Sequence, residues 1–542
     1  MPSTTTRRVT GALTALALAG GVISASVTQA VGTSTAADAA FGAPVGGFAA
    51  YHATPVRTNT AATVPANHST PYHGPKLVLA QAYVGRKAAE PTLGVDAKGA
   101  VFTVASAFDA APGNPPKNEP KTEVERSTDG GRTFQVVSPK AAGAAGTHPN
   151  SLDPYIYVDP KYGRVFDIDL ELAGSVISYS DDQGKTWTTS ALTSAFGAND
   201  HQTLVSGAVP EGSNLLTLDK AFPRIVYYCV NQIAAGACAR SLDGGRTFVQ
   251  ANQTGYQAVR PADLVALNNN RNDGICGSLH GHAVTDRFGM LFIPRGYCLK
   301  PYIAISADGG TTFHDVLVTD AVGVSGQQSS VAVDHAGNLY YTWQDNLHQL
   351  PYLSVSRDHG EHWSAPLMIA PPGVHETNFP TIDVGDPGRI AITFPGTTAV
   401  GANPNVPDNK DKTRPWNTYV VMSTDALSAN PLFLSNIANP KHDPVARGDC
   451  NGRCGRMYDF LDIVSAPGDQ GRVFASVVDT CTAYLSCNSA RLPGNNDSGD
   501  VVKEETAHDY GVSADMAEVI VREVSGPALR GTARYITHDA KP

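Results

Sequence analysis

The stretch Ser-x-Asp-x-Gly-x-Thr-aromatic occurs four times in this chain of 542 residues, and a fifth near-copy follows. The copies begin at Ser127, Ser180, Ser241 and Ser306 and end on Phe134, Trp187, Phe248 and Phe313. The near-copy, from Ser356 to Trp363, has His362 where the others have Thr, and a fragment, Ser423-Thr-Asp425, lacks the rest. A motif that returns every 50 to 65 residues means one supersecondary unit built many times. Its Asp can accept hydrogen bonds from backbone N–H groups just ahead of it and so close a turn. Its Gly can take the positive φ that tight hairpins need. The aromatic ring is large enough to fill the gap between neighbouring sheets.

A second pattern lies between those turns: an apolar strand, a short turn ending in Gly, then another apolar strand. It spans 92–102, with Asp96 and Gly99, and 155–166, with Asp159 and Gly163. It returns at 283–292, 330–341, 380–393 and 460–474, and in broken form at 202–228. Each unit then holds four antiparallel strands, A to D, with a short A–B turn and the repeated turn joining C to D. Such a unit is a propeller blade. The pattern predicts an all-β propeller of four-stranded antiparallel blades, seven in number, with six as the alternative. Segment 76–84 is expected to close the ring against 518–524. The A–B turns and the repeated turns share one face, the turn face. The long loops 107–123, 250–279, 395–417, 433–456 and 480–510 gather on the other, the loop face, where a rigid scaffold favours function.

The repeated turn resembles the Asp box of sialidases and related β-propellers over residues 127–363. In that superfamily the boxes are structural turns away from the active site, and sialidase catalytic domains are usually six-bladed. The resemblance implies a glycoside hydrolase of exo-sialidase type acting on extracellular glycans or polysaccharides. It also implies an Asp acid/base, a Tyr–Glu pair and three Arg gripping a sugar carboxylate. The Phe/Tyr-Arg-Ile-Pro motif that supplies the first Arg is absent. Phe222-Pro-Arg224-Ile-Val sits where Arg164-Val-Phe, Arg389-Ile-Ala and Arg472-Val-Phe start other B strands. The alternative is a non-catalytic propeller that binds a glycan, polysaccharide or protein through its loop face.

Six positions back from the residue that opens each A–B turn stand Glu90, Asp153, Asp200, His280, Gln328 and Asp459, with Asn378 beside Phe379 in the remaining blade. These positions start the innermost strand and are expected to rim a wet, acidic channel mouth. Asp153, Asp200 and Asp459 are candidate catalytic acids, with Tyr155 and Tyr458 beside them as candidate nucleophiles. Glu90, His201, His280, His282, Gln328 and Asn378 are candidate substrate contacts. A ring of this kind can also hydrate a channel, or hold a hard cation such as Ca²⁺ through carboxylate oxygens.

Net charge is −10, which favours neither nucleic acid nor an anionic membrane surface as partner. Arg7-Arg8 ahead of the apolar run 9–27 reads as a secretory signal over residues 1–30. Residues 31–75, rich in Ala, Thr, Pro and Gly, read as a disordered linker, with the propeller over 76–542. No other stretch is apolar enough to span a bilayer, so a secreted monomer is expected. Export makes the eight cysteines disulfide candidates. Local pairing gives Cys229–Cys238, Cys276–Cys298, Cys450–Cys454 and Cys481–Cys487, with crossed pairing among the last four as the alternative.

Overall fold

The computed structural model describes residues 47–60, 65–84, 88–107, 121–139, 153–171, 174–190, 199–232, 235–251, 279–325, 328–399, 415–439, 444–447, 461–479, 517–531 and 535–537. They form seven antiparallel sheets, each built on four strands. From the inside outwards, blade 1 is Ala88–Val95, Val101–Ala107, Lys121–Ser127 and Gln135–Val136. The A strands of blades 2 to 6 are Tyr155–Val158, Asn199–Gly207, Val284–Thr285, Ser330–Val333 and Thr381–Val384. Blade 7 runs Asp462–Ser465, Val473–Asp479, Ala517–Pro527 and then, on its outer edge, Val78–Tyr83. Leu79 lies opposite Glu523 and Tyr83 opposite Val519, so the early strand closes the ring as expected. Among the described residues the only helix is the short turn Asp469–Gly471.

Apolar side chains fill the spaces between blades. Phe166, Ile168 and Ile177 of blade 2, for instance, pack on Leu204, Val226 and Tyr228 of blade 3. Because both faces of the middle strands are covered, Leu339–Gln344 and Pro351–Ser356 are buried at every position. Alternation of polar and apolar residues is therefore weak in the sequence.

The repeated turns are hydrogen-bonded alike. In blade 1, Ser127 Oγ donates to Asp129 Oδ1 at 2.7 Å and accepts from Gly131 N at 2.9 Å. Thr133 donates to the same carboxylate through its amide, at 2.9 Å, and its hydroxyl, at 2.6 Å. In the near-copy the His362 ring takes the Thr position, 2.7 Å from Asp358 Oδ2. Burial alone would raise these carboxyls, but the bonds from Thr, Ser and backbone outweigh it. Asp129, Asp243 and Asp308 are held below the usual carboxylate range, and Asp182 falls to about 2. Each closing aromatic wedges against the preceding blade; Trp187 packs with Phe102 and Val104 and donates to Val137 O at 2.7 Å.

Part of the 31–75 segment is not a free linker. Ala49–His52 pairs with Leu432–Ile437 on the edge of blade 6, and Thr54–Pro55 pairs with the outer strand of blade 5. The Tyr51 side chain is fully buried and donates to Ile369 O at 2.7 Å. Asn67 donates to Met368 O and Ala370 O. This strap covers sheet edges that would otherwise expose unpaired backbone groups. Its small, turn-prone residues gave no local sign of a strand, because the pairing is supplied entirely by the blades.

Cys229 and Cys238 face each other across strands B and C of blade 3 and form a disulfide, with Cα atoms 4.1 Å apart. Among the described residues no cysteine is free. Cys276, Cys450, Cys454, Cys481 and Cys487 lie outside those residues. No described helix is long and apolar enough to cross a membrane.

Candidate active site at the channel mouth

The seven A strands surround a central cavity of about 270 Å³. At its loop-face end stand Tyr155, His282, Ser330, Thr381 and Asp462; at its turn-face end stand Pro160, Arg224, Pro467 and Arg530. The loop-face residues lie four positions before the residue that opens each A–B turn, not six. That opening residue is fixed in each case by its backbone bond across the turn, as in Asp159 N to Arg164 O and Ala466 N to Arg472 O.

The expected ring therefore sits one step outside the channel. Glu90, His201, His280, Gln328 and Asn378 are all 5% exposed or less, and none of them lines the cavity. The cause is a kink where strand A begins. Glu90, His201 and Phe379 occupy the same slot with φ of 54°, 50° and 43°, a conformation rare for residues other than Gly. The pairing register slips there, between Ala89 and Thr92 and between Asp200 and Thr203. In blade 3 the slot holds His201, and Asp200 points into solvent. Asp153 is partly buried, with Oδ2 3.4 Å from His201 N, so it helps hold the kink of the next blade. Asp459 and Tyr458 lie outside the described residues; among the described residues blade 7 brings Asp462 to the mouth.

Two sequence candidates, Tyr155 and His282, do converge at the mouth. Their ring centroids are 4.6 Å apart, edge to face, although they come from blades 2 and 4. From blade 7, Asp462 Oδ1 approaches His282 Nδ1 to 3.8 Å; both side chains are about one-eighth exposed. Tyr155 is buried and also hydrogen-bonds the Thr203 hydroxyl of blade 3. Burial first, and the Asp462 charge second, push its hydroxyl well above the usual tyrosine range. In its protonated state it can donate a hydrogen bond. One carboxylate, one imidazole and one phenol thus meet over the axis. The signal that would have found Asp462 is the strand repeat itself, read at the fourth position.

A second polar group lies between blades 3 and 4. His280 forms an isolated main-chain β-bridge with Arg295 of the same blade, which is 2% exposed. Burial lowers the His280 ring to about 3, and the charges of Arg295 and His201 oppose its protonation further. His280 is neutral at ordinary pH. Among the described residues no three His, Cys, Asp or Glu side chains gather as a metal site. Arg260, Arg271, Arg414, Arg453 and Arg456 lie outside the described residues.

At the turn-face end the channel is narrowed by paired groups. Arg224 Nε lies 2.8 Å from Asp159 Oδ2, and its Nη2 donates to Ser206 O at 2.7 Å. Arg530 donates to Ser465 Oγ at 3.1 Å, while Asp383 accepts from Ser465 N. Burial raises the Asp383 carboxyl, with the Ser465 bond and the Arg530 charge opposing.

No family model matches the chain, and no curated protein matches it in sequence. Among solved structures it is similar to the Hadza microbial sialidase Hz136, at 14% identity and TM-score 0.37. That match covers 58% of this chain and 64% of the other, so it spans just under two thirds of that sialidase. It is also similar to the NanB sialidase from Streptococcus pneumoniae, at 11% identity and TM-score 0.37, covering 82% of this chain and 70% of that one. The α-L-arabinofuranosidase Arb93A from Fusarium graminearum matches at 13% identity and TM-score 0.36, covering 66% and 94%. The fold described above stands on strand pairing and register, independently of these likenesses.

Proposed function

We propose that this chain is a secreted, sialidase-like propeller that acts on extracellular glycans at the loop-face mouth of its channel. One observation carries the reading: Tyr155, His282 and Asp462 come from three different blades and meet at one end of the axial cavity. Polar groups converging in a concave site on a rigid scaffold are the usual mark of a ligand site. In a hydrolytic reading, Asp462 and His282 handle the proton and the Tyr155 hydroxyl donates a hydrogen bond to the sugar. Release of chromophore from a panel of aryl glycosides, sialosides included, tests this. Turnover of at least one member is expected; a folded protein that turns over none sinks the hydrolase.

The second reading, glycan binding without catalysis, is favoured by the single carboxylate among the described residues at the mouth. Binding to a glycan array with no turnover selects it.

A further inference from the structure

The turn face carries an apolar strip that the channel chemistry does not use. Its centre is the insertion 208–224 between strands A and B of blade 3. Leu216 and Leu218 there are 77% and 74% exposed. Large apolar side chains standing out of a soluble surface in a group mark an interaction site. The segment is held in place: Leu218 N donates to Leu242 O at 2.6 Å, and Leu215 packs inward against Gly309. The alternation fixes Leu216 and Leu218 outward.

The strip continues on both sides. Phe222 at the end of the insertion meets Tyr162 of the blade 2 turn, centroids 5.4 Å apart, and Tyr162 is 41% exposed. At the other side the blade 4 turn abuts the start of the insertion. A side chain at Gly289 would collide with Ala208 O and Pro210 N. Its neighbour Phe288 is 47% exposed.

Charge is sorted along the strip. Lys161, Lys220 and Arg287 are exposed, and Lys161 and Arg287 lie over the rings of Tyr162 and Phe288, at 5.4 and 4.4 Å. The acids Asp159, Asp219 and Asp286 are turned inward, with side chains 7% exposed or less. The exposed acids here are Glu211 in the insertion and Asp181, which pairs with Arg164 beside Asp219, against the exposed cations Lys161, Lys220 and Arg287. The whole-chain charge of −10 does not cancel this local excess. Surface charges more than a Debye length away, about 8 Å at physiological ionic strength, are largely screened.

We propose that this strip seats the propeller on an anionic lipid surface, with Leu216, Leu218, Tyr162 and Phe288 in the interface and Lys161, Lys220 and Arg287 on the headgroups. The side chains protrude rather than line a groove, which suits a bilayer interface better than a folded partner with its own knobs. Apolar insertion plus adjacent cations is the general recipe for interfacial binding. Docked in this way, the protein turns its loop face away from the membrane. The proposal stands whether or not the channel mouth is catalytic.

The test is co-sedimentation of the full chain with phosphatidylcholine vesicles, with and without about one third phosphatidylserine. Wild type binds the anionic vesicles, and binding falls as salt rises. Leu216→Asp with Leu218→Asp lowers it about tenfold or more; Leu216→Ser with Leu218→Ser is the milder second pair, and unchanged melting confirms folding. Replacing Lys161, Lys220 and Arg287 by Ser lowers it roughly fivefold per charge and removes the preference for phosphatidylserine. Three results overturn the proposal. One is no vesicle binding by wild type, or binding that the leucine pairs leave intact. Another is binding to polyglutamate in place of vesicles, which makes the strip an acidic-peptide site. The third is a wild-type dimer that the leucine variants dissociate without any vesicle binding.

Discussion

The two faces of the ring are built by opposite rules. On the turn face one motif is repeated, and its polar groups answer one another: Ser to Asp, Thr to Asp, backbone to both. Its aspartates are held ionised by those bonds. Toward the loop face the polar groups are individual and poorly matched. Asp167, in strand B of blade 2, is fully buried, and neither of its carboxylate oxygens has a hydrogen-bond partner among the described residues. Burial first, then the Asp169 charge, push it well above the usual range. Glu518, where blade 7 meets blade 1, is raised to about 7 by burial and by Glu123, against a bond from Thr103. Local rules are kept where the scaffold is made and broken where function is expected.

The largest effect belongs to the turn face. Arg164 is 1% exposed, lies between the Tyr179 and Phe222 rings, and reaches Asp219 at 3.1 Å and Asp181 at 2.6 Å. Asp181 is 60% exposed and adds little; the buried link to Asp219 carries the weight. Arg164→Ala should lower unfolding free energy by about 3–5 kcal/mol in urea titration, with glycan binding at the loop face unchanged in the folded fraction. A loss below about 1 kcal/mol would remove the contrast between the faces.

Glu518 predicts a pH signature of the opposite sign to an ordinary carboxylate. Its folded state holds the proton more tightly than the unfolded chain does. The contribution is complete below the unfolded value of 4.5 and is lost as pH rises through about 7. Its size is on the order of 3 kcal/mol. Melting at pH 5 and pH 8 should differ less in Glu518→Gln than in wild type. Equal slopes would show that Glu518 is ionised throughout.

The smallest effect is the loss of one turn. Asp182→Ala removes the bonds from Ser180 and Thr186 and should cost about 1 kcal/mol. Since the carboxyl sits near 2, wild type and variant should converge as pH falls from about 4 towards that value. A persistent gap in acid would place the effect in packing.

This division explains what the sequence made legible. Seven blades, the closing strand and the Cys229–Cys238 bond follow from repeats and short separations, which local chemistry enforces. The mouth was only half legible. Tyr155 and His282 are visible as polar residues at strand starts, whereas Asp462 lies three residues beyond Asp459, which falls outside the described residues. The positive φ at Glu90, His201 and Phe379 kinks the strand at its start and turns these positions into the wall. The strap at Ala49–His52 was hidden for a related reason, since its partners are nearly four hundred residues away.

The claim that the mouth is the working site is tested most directly by three variants assayed side by side against the glycan or glycoside that wild type engages: Tyr155→Phe, Asp462→Asn and Asp182→Ala. Loss of about a hundredfold in kcat/KM, or in affinity if there is no turnover, is expected for the first two, with Asp182→Ala close to wild type. Full activity in Tyr155→Phe and Asp462→Asn, with their folding intact, would contradict the placement of the site at the channel mouth.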